Sequence, residues 1–152
     1  MTPRCRAPFE TDAELACLAA AFLDHSLPAP MWTNDAHWAV AIHLLRHRPD
    51  LDLPRDLPGL ISRFNEAKGN RNTETAGYHE TITQAAIYMA ELVIEASPGR
   101  TACQQVNRLM ASPTGKSDWL FRFWSKDALM TPLARRLWVP PDIAPLPRAW
   151  SD

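Results

Sequence analysis

Residues 77–95 read GYHETITQAAIYMAELVIE, and wound as an α-helix they are apolar on almost every side. The polar exception is a narrow stripe that contains Glu80, Gln84 and Glu91. A helix of this kind is typical of the middle of a bundle, where neighbouring helices cover it on several sides. We therefore expect a central helix over residues 77–95.

Helical spacing of apolar residues continues on both sides of this segment. The sequence Thr11-Asp12-Ala13-Glu14 is a capping box, which predicts a first helix that runs to about His25. Thr33 or Asn34 can cap a second helix that ends before Pro49, and a third is expected to follow the turn at 54–58 and to stop at Gly69. Shorter helices are predicted near 101–110, 117–124 and 131–138. No strand pattern is found, so the fold class is all-α, with about five to seven helices.

The C-terminus is rich in proline and is expected to be an extended tail. Its apolar residues, among them Ile143, Leu146 and Trp150, predict that the tail lies against the body of the protein. Nothing in the composition indicates a linker between domains. We therefore expect one helical domain over 1–152, with residues 1–10 and 140–152 extended or poorly ordered.

Composition and charge exclude several classes of protein. Hydrophobic residues make up 46% and charged residues 22% of the 152, which is typical of a folded globular chain. The net charge of -1 provides no overall positive field, so nucleic acid and anionic membranes are not expected as partners. No apolar run is long enough to span a bilayer. Three cysteines without a C-x-x-C spacing fit a reducing compartment, and we expect a cytoplasmic protein.

His37 and His79 are the histidines most suited to chemistry, because each falls in the first turn of a predicted helix on its apolar side. The helix dipole disfavours a charged imidazole there, so each ring is expected to be neutral and able to bind a metal or to hydrogen-bond. Both are candidate ligands for a divalent metal, either zinc, iron or manganese. The alternative is that each is a core histidine that satisfies a backbone carbonyl.

Further candidates surround the two histidines. Together with His79, Tyr78 and Glu80 are the predicted catalytic residues, although Glu80 on the polar stripe can equally face solvent. The small residues Ala41 and Ala86 leave room for a ligand beside the histidines. The predicted ligand-binding residues are Trp32, Asn34, Trp38 and Asn72.

Four motifs resemble those of a family of small uncharacterised bacterial helical proteins. They are WTNDAH at 32–37, NTET at 72–75, GYHETIT at 77–83 and WVPPD at 138–142. The first motif in that family often reads W-T-H-x-A-H, whereas this chain has Asn34 in place of the extra histidine. If the resemblance implies a metal site built from these histidines, this chain has exchanged one nitrogen ligand for a weaker amide oxygen.

Two functions of different classes follow from these residues. The leading hypothesis is a small-molecule-binding protein or small enzyme with a histidine-containing pocket between helices, in which a metal can take part. The alternative is a helical interaction or assembly module without catalytic activity, in which tail residues such as Trp150, Leu146 and Ile143 anchor a homo-oligomer. The sequence leaves open whether the protein is an enzyme.

Overall fold

A computed structural model describes residues 3–152, so Met1 and Thr2, which begin the predicted extended segment 1–10, lie outside the described residues. The described part is all helical, without a strand, which confirms the predicted fold class. None of its helices is long and apolar enough to cross a membrane. In chain order the helices are α1 (Asp12–Leu23), α2 (Asn34–His47), α3 (Leu53–Ala67), α4 (Glu80–Glu95), α5 (Ala102–Ala111), α6 (Lys126–Leu129) and α7 (Pro132–Arg136).

Side-chain caps fix where the first two helices begin. The predicted capping box is present in α1, where the Thr11 hydroxyl accepts the Glu14 N–H at 3.3 Å and the Glu14 carboxylate accepts the Thr11 N–H at 3.1 Å. The Thr33 hydroxyl caps α2. Helix α1 ends before the predicted limit at His25, because the backbone of that residue turns through a left-handed φ of 65°.

The predicted turn at 54–58 is wrong, since α3 runs through both prolines. Pro54 lies in the first turn, where its missing N–H has no intrahelical partner to lose. Pro58 lies inside the helix and cannot donate to the Pro54 carbonyl four residues earlier. The side chain of Gln84, on α4, donates to that carbonyl at 2.8 Å instead. A hydrogen bond from another helix therefore replaces the one that proline removes.

Helix α4 occupies the centre of the bundle and packs against α2, α3, α5 and α7. Every residue from 81 to 90 is buried or half-buried, as the apolar pattern predicts. The helix starts at Glu80 rather than at Gly77, because the His79 side chain caps it and the two residues before His79 belong to the preceding loop.

The segments after α5 are less helical than their sequence patterns predict. The predicted helix at 117–124 is a single 3₁₀ turn over Trp119–Arg122, with backbone hydrogen bonds that span three residues rather than four. Helix α7 ends at Arg136 and does not reach Trp138, because Leu137 is extended.

The proline-rich tail is extended and lies against the body. The Tyr88 hydroxyl, on α4, donates to the Pro147 carbonyl at 2.6 Å. Leu146 and Trp150 pack against the core, whereas Ile143 is exposed. Two of the three tail residues predicted as anchors for a second copy are therefore in contact with their own chain.

Replacing Thr81 by valine is expected to lower the free energy of unfolding by about 1–3 kcal/mol, because it strands buried polar groups. The Thr81 hydroxyl lies 2.7 Å from the Ala134 carbonyl and 2.9 Å from that of Leu137, and it accepts the Val139 N–H at 3.2 Å. Urea denaturation measures the change. The matched variant Thr75→Val, in an exposed loop, is expected to change stability by no more than about 0.5 kcal/mol.

Candidate functional site

The N-terminal ends of α2 and α4 meet at a cleft of about 660 Å³. Trp32 and His37 line it from the α2 side, and Tyr78 and His79 line it from the α4 side. The loop at 70–77 forms one rim. Four residues that the sequence analysis singled out therefore face a common space, with both predicted histidines among them.

An apolar chamber of about 90 Å³, which we call the inner chamber, adjoins the cleft. The predicted small residues Ala41 and Ala86 both line it, together with Trp38 and Trp119, whose ring centroids are 5.6 Å apart. The cleft and the inner chamber share five lining residues, which are Trp32, His37, Ile61, Ile82 and Thr83. The two spaces thus meet at a boundary that His37 helps to form.

His37 is both accessible and deeply set. Its side chain is exposed to water-sized molecules on the side that faces the cleft, and protein atoms surround it on its other sides. This desolvation lowers the pKa of His37 to about 4, so the ring is neutral at neutral pH. The ring packs on Trp32 with centroids 4.0 Å apart. Neither ring nitrogen of His37 has a hydrogen-bond partner among residues 3–152, so both are free to contact a ligand.

His79 is buried and acts as the cap of α4. Its Nδ1 accepts the Ile82 N–H at 3.2 Å, which places the ring proton on Nε2. That nitrogen donates to the Leu129 carbonyl at 3.0 Å. Burial, and to a lesser extent the charge of Arg135, lowers the pKa of His79 and keeps the ring neutral. With both nitrogens bonded to backbone groups, this geometry matches the alternative of a core histidine and does not favour a metal-binding or catalytic role.

Tyr78 and Glu80 are paired with each other. The Tyr78 hydroxyl donates a short hydrogen bond to the Glu80 carboxylate, and burial raises the pKa of Tyr78 well above its ordinary value. Tyr78 lines the cleft, whereas Glu80 does not. Glu80 is half-buried and also lies 3.5 Å from the Gln84 amide. The predicted catalytic carboxylate therefore orients a tyrosine rather than facing the cleft itself.

Asn72 shapes the rim of the cleft without lining it. Its Oδ1 accepts the Tyr78 N–H at 2.9 Å and an Asn65 amide hydrogen at 3.0 Å, and its Nδ2 donates to the Ser62 carbonyl at 3.0 Å. Gly77 packs against it with φ of 85°, and a Cβ there would lie 2.7 Å from Oδ1. Asn72 therefore holds the loop, and its ligand-binding role stays a prediction.

Asn34 and Trp38, the other predicted ligand-binding residues, both line the inner chamber. The Asn34 amide donates to the Gly115 carbonyl at 2.9 Å, which fixes the side chain. Trp38 is almost fully buried. With Trp32, three of the four predicted ligand-binding residues lie beside a space that a ligand can enter.

Two arginines that were not predicted as site residues, Arg71 and Arg135, also line the cleft. Arg135 is half-buried, and its Nη1 donates to the Gly77 carbonyl at 2.9 Å. Arg71 is exposed. No aspartate or glutamate lines the cleft within the described chain. The pattern N-R-N-T at 70–73 placed Arg71 in a predicted loop, but only the fold shows that Arg135 reaches the same place.

The residues of the cleft do not fit a divalent metal. Residues 3–152 contain no group of three or more histidine, cysteine or acidic side chains that could hold one. Of the two predicted ligands, His79 has no free nitrogen, and His37 alone offers one donor where stable sites use three or four. The neighbouring arginines further oppose a cation.

Comparison with protein-family models, with curated proteins and with solved structures finds no match for this chain. The resemblance to a family of small bacterial helical proteins therefore stays a prediction.

A pH titration tests the lowered pKa of His37. An unfolded chain protonates its histidines near pH 6.5, whereas folded His37 takes up its proton near pH 4. Between these values the unfolded state binds more protons, so the free energy of unfolding falls as the pH is lowered through this window. In His37→Gln, urea denaturation is expected to show a smaller fall between about pH 6.5 and 4.5 than in the wild type. A His37 ring that titrates near pH 6.5 by NMR would contradict this assignment.

Proposed function

We propose that this protein binds a small organic molecule in the cleft, with His37 as the polar group that contacts it. The observation that carries the proposal is the state of His37, which lines the cleft, is accessible and neutral, and has no hydrogen-bond partner among residues 3–152. A ring nitrogen that lines a cleft and has no protein partner is available to hydrogen-bond with a ligand that enters the cleft. A mostly apolar lining with a few polar groups is common in small-molecule sites, and the cleft and the inner chamber together have such a lining.

A catalytic form of the same proposal assigns His37 the role of general base. A neutral imidazole with a free nitrogen can accept a proton from a ligand within hydrogen-bond reach. A pKa as low as about 4 makes it a weak base, so this role suits a substrate whose proton is already acidic. Binding therefore comes first in the proposal, and catalysis depends on the ligand.

The three free thiols support the further proposal of a cytoplasmic location.

The assembly alternative is supported by a different surface. Leu133, Leu137 and Trp138 are apolar residues about half exposed at the end of the helical part of the chain, with Ile143 at 59%. Exposed apolar residues close together in a chain favour contact with another protein surface. The tail residues Leu146 and Trp150 do not add to this surface, because they pack against the core.

A screen of small polar and aromatic fragments by ¹H–¹⁵N NMR tests the binding proposal. Bound fragments are expected to shift the amides of Ile82 and Thr83 and the indole signal of Trp32. His37→Ala is expected to weaken binding about fivefold or more, the equivalent of one lost hydrogen bond. His47→Ala is the matched control, because His47 is exposed in the last turn of the same helix. Shifts confined to other surfaces, or equal effects of the two variants, would contradict the proposal.

Light scattering over a range of concentrations tests the assembly alternative. It predicts a dimer that Leu137→Ser dissociates, because a polar side chain within an apolar contact opposes burial. A wild-type protein that remains monomeric at every concentration would contradict it.

A further inference from the structure

We propose that the ligand of the cleft is a small carboxylate with an apolar tail, whose head group binds Arg71 and Arg135 and whose tail enters the inner chamber past His37. This inference rests on the proposed function and names its ligand class. Three features of the site support the inference. They are the charge of the cleft, the free hydrogen-bond donors of Arg135 and the shape of the inner chamber.

The cleft carries positive charge that the protein does not neutralise. Neither Arg71 nor Arg135 has a carboxylate within 4.0 Å among residues 3–152, whereas Arg136, the neighbour of Arg135, faces Glu74 at 3.8 Å. The whole chain has a net charge of -1, so this local excess is not a general property of its surface. An anion is the ligand that such a space attracts.

Arg135 is held in place with donors to spare. Its Nη1 lies 2.9 Å from the Gly77 carbonyl and 3.4 Å from that of Tyr78, which anchors one arm of the guanidinium to the loop. No described residue accepts from its Nε or Nη2. These two nitrogens lie on one edge of the planar group and match the two oxygens of a carboxylate. Anchoring in advance reduces the conformational entropy that the side chain loses on binding.

The inner chamber selects an apolar tail of limited size. Its walls include Val40, Leu57 and Ile87 besides three tryptophans, and no charged side chain lines it in the described part of the chain. A cavity of about 150 Å³ in another protein holds benzene, so 90 Å³ has room for about four carbon atoms. Since the cleft and the inner chamber meet at His37 and Thr83, a ligand that occupies both passes these side chains.

Pentanoate and heptanoate, compared with their primary amides and with acetate, are suitable probes. Each amide keeps the shape of its acid and removes the charge, whereas acetate keeps the charge and removes the tail. NMR titration of the full chain at low salt is expected to give at least tenfold tighter binding for the acids than for the amides, because hydrogen bonds to a charged group are stronger. Added sodium chloride is expected to weaken binding of the acids and not binding of the amides.

Three variants separate the head group from the tail. Arg71→Gln is expected to weaken binding of the acids about tenfold and binding of the amides much less, and it is structurally mild because Arg71 is exposed. Arg136→Gln is the matched control, since Arg136 lies outside the cleft. Ala41→Leu fills the inner chamber and is expected to abolish the advantage of heptanoate over acetate. Thermal unfolding checks that each variant is folded.

The outcomes distinguish this inference from the proposed function. Acids and amides that bind the cleft with equal affinity would overturn the carboxylate assignment and leave the binding cleft intact. Fragment binding at His37 without any binding of the acids would also overturn this inference alone. If neither fragments nor acids shift the signals of the cleft, both proposals are wrong.

Discussion

The two hydrogen bonds of the His79 ring organise the whole site. One bond caps the start of α4, and the other joins that N-terminus to the carbonyl of Leu129, fifty positions along the chain. Because the ring must lie between these partners, the loop before α4 and the end of α6 meet on the same side of the bundle. Arg135 then contacts the Gly77 carbonyl, and the cleft acquires its rim. A single buried imidazole thus sets the position of groups that are remote in sequence.

The elements that could be predicted are those that depend on local patterns. The period of α4 and the capping box of α1 are local, and both are present. The continuation of α3 through Pro58 depends on Gln84 from another helix, so no window of sequence around the proline reveals it. The short turn at Trp119–Arg122 likewise departs from an apolar spacing that suits an α-helix. In α3 a tertiary contact therefore overrode the local signal.

The candidate site shows the same division. His37 and Trp32 were identifiable because His37 lies in the first turn of α2 and Trp32 lies just before its cap, and Ala41 follows one turn after His37. His79 was correctly placed near them, but its role depends on the carbonyl of Leu129, which the sequence does not locate. Arg135 could not be assigned for a similar reason, because α7 packs on α4 only in the folded chain. The residue types indicated where the pocket lies, but they did not indicate the positive charge that Arg135 brings to it.

The exchange of hydrogen bonds between α3 and α4 has a consequence for related sequences. Where position 58 holds a residue other than proline, its own N–H can close the helix, and the Gln84 amide is then released from the Pro54 carbonyl. A glutamine at 84 is needed only while proline occupies 58, so substitutions at the two positions should covary. Covariation of positions 58 and 84 among related sequences would therefore show whether α3 and α4 are joined in the same way in other chains.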